Sequence, residues 1–317
     1  MRNSILHEGV PSLHSNDILN LDNFGHGPEK IESIVMTNKL CCPGNKCSLS
    51  QFGFDHPRPM VFVTPQWHFH PWFYITYRAF AAIYWLVILI CSGAIDYNGW
   101  YTKPEYAVRW FVFLTSWNQT LMTVTAILLA VFTIHYYYDE SLMRKDAVVL
   151  PKMPIRFRII WLFYSLYSPI ACLITSGYWL LQYEGGTPHF IDLNLHGINT
   201  VYVIVDVILS HIPFRIQHIF YPMMYSGVYF IFNAIYAIAG GKSPTGLPYI
   251  YKVLDWRYPR KTSLIAILAI LVATPVATLF LWGLSIGRDK LNGLLYEKDS
   301  EEEENDVPVC AYEMIDN

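Results

Sequence analysis

At 317 residues with 53% hydrophobic, 16% aromatic and only 15% charged side chains, the chain falls well below the roughly 25% charge of an average soluble domain. That composition excludes an ordinary soluble globular protein, and at about 20 to 25 residues per crossing the length accommodates six membrane-spanning helices. The formal net charge of −3 is uneven: from Glu297 onward nine acidic residues stand against one basic residue, so this tail carries −8 and the rest about +5, a balance that does not describe a nucleic-acid binder.

Residues 1 to about 70 mix Gly, Pro, Asn, Ser and His without periodicity, which predicts an irregular arm that carries no core. The opening stretch Met1–Glu8 has neither an apolar run nor a small-residue cleavage site. The first span is therefore expected to act as an uncleaved anchor. Cys41, Cys42 and Cys47 form the one cysteine cluster. Acylated thiols, a zinc site completed by the loosely spaced His56, His68 and His70, and unmodified thiols are its three readings. No disulfide framework and no cofactor are expected.

Apolar segments recur at 72–95, 110–136, 159–181, 190–212, 219–239 and 264–286. They predict an all-α polytopic bundle over residues 71–287, followed by an acidic tail over 288–317. Trp72, Trp100, Tyr136, Trp179, Tyr249 and Trp256 crowd the segment ends, as interfacial aromatic belts do. Arg144, Lys145, Lys152, Arg156 and Arg158 between the second and third spans predict cytosolic termini. Lys242, Lys252, Arg257, Arg260 and Lys261 between the fifth and sixth spans contradict that orientation. His211 and His218, flanking Arg215, are expected to meet lipid headgroups.

Two spans hold polar residues that a purely structural helix does not need. In the second, Thr115, Asn118 and Gln119 share a face. In the fourth, His196, Asn199 and Asp206 recur at near-helical spacing. Groups of this kind serve either as interhelical hydrogen-bond glue or as an intramembrane site. Thr115, Asn118, His196, Asn199 and Asp206 are accordingly expected to converge in the bundle interior, because lipid would leave them unsatisfied.

Four motifs, Gln51-Phe52-Gly53-Phe54-Asp55-His56-Pro57-Arg58-Pro59, Val61-Phe62-Val63-Thr64-Pro65-Gln66-Trp67, Phe113-Leu114-Thr115-Ser116-Trp117-Asn118 and Tyr249-Ile250-Tyr251-Lys252-Val253-Leu254-Asp255-Trp256, together resemble the rolling stone family of insect multipass membrane proteins. The resemblance implies a role in membrane events such as myoblast fusion in muscle development. More distantly, Phe113-Leu114-Thr115 and His196-Gly197-Ile198-Asn199-Thr200 are similar to segments of the androgen-induced-gene family, membrane hydrolases of fatty acid esters of hydroxy fatty acids. That second resemblance implies a threonine nucleophile at Thr115 and a histidine at the position held by Asn199, which cannot accept a hydroxyl proton. His196, one turn earlier, is the available substitute.

The leading reading is a rolling stone-like integral membrane protein that acts in membrane events such as myoblast fusion, without an established catalytic activity. The alternatives are an intramembrane lipid ester hydrolase using Thr115, and a transporter or lipid-handling protein built round Asp206. The expected partners are the lipid bilayer and, in the hydrolase reading, a lipid substrate. No nucleic acid is expected, and the sequence names no protein partner. How near His196 comes to the Thr115 hydroxyl separates the first two readings.

Overall fold

Apolar runs of this length satisfy their backbone polar groups internally, and they fold as helices. The computed structural model describes residues 49–94, 108–139 and 153–306. The cysteine cluster Cys41–Cys47 and the cations Arg144, Lys145 and Lys152 lie outside the described residues, as do the side chains of the acidic run Asp299–Glu304.

Helix α1 is Pro71–Ala94, α2 is Leu114–Tyr138 and α3 is Ile155–Gly177, extended by a π-helical segment at Tyr178–Gln182. Helix α4 runs over Phe190–Leu209, with a π-helical segment at Asn194–Ile198. Helix α5 is Phe220–Ile238. Helix α6 begins as Pro259–Leu268, passes through a π-helical segment at Ala269–Ala273 and continues as Thr274–Asp306. No strand occurs among the described residues; one isolated bridge joins Pro65 to Ser210.

Helix α3 is the centre of the bundle, in contact with α2, α4, α5 and α6. Its apolar window is 56% buried, against 28% for α6. The outer helices present apolar stripes outward: on α5, Phe220, Met224, Val228, Ile231, Ile235 and Ile238 are all more than half exposed. A stripe of this size is a liability in water and the surface that lipid requires.

Five helices are long and apolar enough to cross a membrane. The sixth expected crossing is α5, whose 19 residues include Tyr221, Tyr225, Tyr229, Asn233 and Tyr236. These polar-tipped side chains lower its mean hydropathy, while at 1.5 Å per residue it still reaches about 28 Å, close to the hydrocarbon thickness.

The arm departs from expectation. Met60, Val61, Phe62 and Val63 are buried in the main core with Trp161, Phe157 and Val207. The apolar run is held by a 3₁₀ turn at Pro59–Phe62, so this end of the arm contributes core that its Pro- and Gly-rich composition concealed. His218 also differs from its expected headgroup contact. It is 3% exposed, packed against Phe54, Trp161 and Tyr221, with Nε2 facing the Gly53 carbonyl at 3.3 Å. The basic connection after α5 is partly neutralised: Lys252 pairs with Glu184 at 2.6 Å and Arg257 with Asp255 at 2.7 Å.

Burial holds the His218 pKa down at about 4, with the neighbouring Arg215 acting in the same direction and the Gly53 carbonyl against it. In the unfolded chain the imidazole titrates near 6.5. Between these values the unfolded state binds more protons, so stability present at neutral pH is lost as pH falls from 6.5 toward 4, at up to about 1.4 kcal/mol per pH unit. Unfolding temperature measured against pH should therefore fall less steeply in His218→Gln than in the unmodified protein. Parallel profiles would exclude this histidine as a source of acid sensitivity.

Candidate functional site

At the end of the bundle where α2 and α4 begin and α3 ends, the connection between α5 and α6 covers a cavity of about 780 Å³. Its wall is largely apolar, with Leu114, Leu173, Ile174, Leu195, Phe230 and Ile265 among its residues, and a few polar groups converge on it: Thr115, His196, Asp192, Tyr229 and Tyr251. Size and character are those of a site for one apolar ligand. The three π-helical segments among the described residues border it, through Tyr178, His196 and Ala269. An inserted residue of this kind re-aims side chains, and π segments recur at functional sites.

Thr115 Oγ1 lies 3.5 Å from His196 Nε2. The other imidazole nitrogen, Nδ1, is 3.1 Å from the backbone carbonyl of Asp192. A carbonyl only accepts, so Nδ1 carries the proton and Nε2 presents a lone pair to the threonine hydroxyl. Tyr178 stacks on the imidazole, ring centroids 3.9 Å apart, and the Trp179 indole donates to the His196 carbonyl at 2.6 Å. The histidine is thus fixed in tautomer by α4 and in orientation by the π segment that ends α3.

Thr115 sits in the first turn of α2 and is 8% exposed. The backbone N–H of Leu114 donates to the Tyr251 hydroxyl at 3.0 Å, which brings the loop between α5 and α6 against the start of α2, beside Thr115. Burial pushes the Tyr251 phenol pKa up, so this group is protonated at neutral pH.

The five singled-out polar residues are all turned inward, yet they do not form one site. Thr115 and His196 meet. Asn199 is 3% exposed, and its Oδ1 accepts from the Thr175 hydroxyl at 3.0 Å and the Thr200 N–H at 2.7 Å. It does not line the cavity. The π segment Asn194–Ile198 contains His196 and ends immediately before Asn199, which breaks the uniform phase that an α-helical wheel assumes. Asn118 is 2% exposed, and its Oδ1 has no hydrogen bond among the described residues.

Asp206 builds a second polar centre, toward the opposite end of α4. Its carboxylate is fully buried and pairs with Arg78 of α1 at 2.5 Å. Tyr77 donates to the same Oδ1 at 2.7 Å, and Tyr74 accepts from the guanidinium at 2.6 Å. The Arg78 guanidinium also lies over the rings of Tyr74 and Tyr77, at 4.9 and 5.4 Å. Arg78 is the partner that the sequence reading missed. An isolated arginine in an otherwise apolar segment is its signal, because an intramembrane cation needs a counter-charge. A further interior cation, Arg288 of α6, is 4% exposed and caps the end of α4, donating to the carbonyls of Val207, Ser210 and Ile212 at 2.8, 2.5 and 3.3 Å.

An all-α bundle with apolar outer stripes and polar residues gathered inside defines an integral multi-pass membrane protein. The family profile described as Protein rolling stone matches residues 35–298. The chain belongs to that family. Protein rolling stone of Drosophila melanogaster is 25% identical over 222 residues, covering 67% of this chain and 78% of that protein. No solved structure matches.

Proposed function

We propose that this membrane protein takes a long-chain lipid ester into the cavity and hydrolyses it with Thr115 as nucleophile and His196 as base. The observation that carries this reading is the approach of Thr115 Oγ1 to His196 Nε2, at 3.5 Å, with the imidazole oriented from its far side by a carbonyl. A nucleophile, a base and an orienting group in line are the arrangement that activates a hydroxyl. The separation is at the outer limit of a hydrogen bond, as in many resting sites that tighten on substrate.

In the first step Oγ1 bonds to the ester carbonyl carbon while Nε2 takes the hydroxyl proton. The tetrahedral adduct then expels the alcohol, which receives that proton, and leaves an acyl-threonine. In the second, water adds to the acyl carbon and gives a proton to Nε2. Collapse releases the carboxylic acid and returns the proton to Oγ1. The apolar wall holds the acyl chain, at about 0.8 kcal/mol per methylene removed from water.

The rolling stone resemblance implies a setting in membrane events such as myoblast fusion, and this reading places the activity there. Cytosolic termini remain part of this reading, with six crossings putting the cavity at the opposite membrane face. Protease protection of terminal tags in sealed vesicles tests this: termini on different sides would exclude an even number of crossings. The activity is tested by reconstituting the purified protein in liposomes with a long-chain ester. Turnover lost in Thr115→Ala is the expected result, and turnover that is absent, or unchanged in that variant, would sink the hydrolase reading.

A further inference from the structure

The cavity holds two tyrosines beside the start of α2, and they differ in what their hydroxyls have already bound. Tyr229 of α5 donates to the Val112 carbonyl at 2.9 Å, so its proton is committed. Tyr251 instead uses its oxygen as an acceptor, from the Leu114 N–H at 3.0 Å. An oxygen that accepts from a backbone N–H is held in place, while its own O–H still has to be given to something else. The Thr115 and Tyr229 hydroxyls are hydrogen-bonding neighbours of the same phenol, so before a ligand enters the proton rests on one of them and an incoming carbonyl has to take it over; Tyr251, Thr115 and Tyr229 all line the cavity.

We infer that Tyr251 is the electrophilic donor of this cavity, giving its phenolic hydrogen to the carbonyl oxygen of a long-chain ester or ketone seated against Thr115. The inference deepens the hydrolase reading and rests on it for the identity of the ligand. As Thr115 Oγ1 approaches the carbonyl carbon, the carbonyl electron pair moves onto oxygen, and the Tyr251 O–H meets that growing charge without transferring its proton. The Leu114 N–H bond fixes the phenol oxygen beforehand, so little reorganisation accompanies the reaction, which is the condition under which such donors are strongest. The phenol remains protonated at neutral pH because burial disfavours the phenolate. Tyr251 belongs to the loop between α5 and α6, so the donor arrives from a different element than the nucleophile and base. The site is complete only when that loop is seated.

The test uses the full chain in lipid nanodiscs with a long-chain ketone carrying a carbon-13 carbonyl, which cannot be hydrolysed. Infrared difference spectra should show the bound carbonyl stretch displaced to lower frequency in the unmodified protein and also in Thr115→Ala. In Tyr251→Phe the displacement should vanish and ketone affinity fall about tenfold, the equivalent of one hydrogen bond near 1.4 kcal/mol. Tyr251→Phe also removes the acceptor for Leu114, so a ring-fluorinated tyrosine at position 251, a stronger donor of the same shape, serves as the second variant and should deepen the displacement. A displacement that persists in Tyr251→Phe, one indifferent to ring fluorination, or failure of the ketone to bind overturns the inference. If the Tyr251-dependent displacement appears but esters are not turned over, the carbonyl site stands and the hydrolase reading falls.

Discussion

Arg78→Met should lower the unfolding free energy of the detergent-solubilised protein by about 3–5 kcal/mol, because it leaves one charge of a buried pair without its partner. The Asp206 carboxylate is fully buried, with Arg78 and Tyr77 both on Oδ1 and no hydrogen bond to Oδ2 among the described residues. Asp206→Leu should be as damaging in the opposite sense, stranding a guanidinium that is 1% exposed with Tyr74 as its remaining hydrogen-bond partner among the described residues. The double variant Arg78→Met with Asp206→Leu removes both charges and should recover most of the loss, since buried pairs are often replaceable by apolar residues of similar volume. Tryptophan-detected thermal unfolding of the four proteins checks this. Additive losses in the double variant would mean that the two side chains act independently, contrary to the contact between α1 and α4.

His196→Ala should reduce ester turnover by about 10² to 10⁴-fold, the usual contribution of a positioned general base, with KM little changed because the imidazole is not part of the apolar wall that holds the chain. Asn199→His, by contrast, should bring no gain. The Asn199 side chain is engaged with Thr175 of α3 and the Thr200 backbone, and position 199 does not line the cavity that Thr115 lines. Steady-state rates of the two variants separate the assignments: a gain in Asn199→His, or undiminished turnover in His196→Ala, would transfer the base role away from His196.

Much of the bundle is legible in the chain because apolar runs of this length have few other solutions. The start of α2 is displaced from the expected Trp110 to Leu114 because Val108–Val112 forms a separate 3₁₀ turn. Asp206 is legible as a buried charge, whereas Arg78 is averaged away within the 24 residues of α1. The division of the polar residues between two centres is not legible from a helical wheel, since the π segment Asn194–Ile198 has no signature in the hydrophobic period. Tyr251 lies in a motif whose residues are visible in the sequence, but its approach to Leu114 depends on how the loop between α5 and α6 folds back over the bundle. Met60-Val61-Phe62-Val63 did carry a signal, four consecutive apolar residues, which the surrounding prolines and polar residues masked.

Acylation of Thr115 is read directly by peptide mapping with mass spectrometry after acid quench of the reconstituted protein with a long-chain ester. An acyl mass on the peptide bearing Thr115, formed in the unmodified protein and absent in His196→Ala, is the expected outcome. An acyl group on another residue, or ester turnover with no covalent acyl-protein at any quench time, would contradict it.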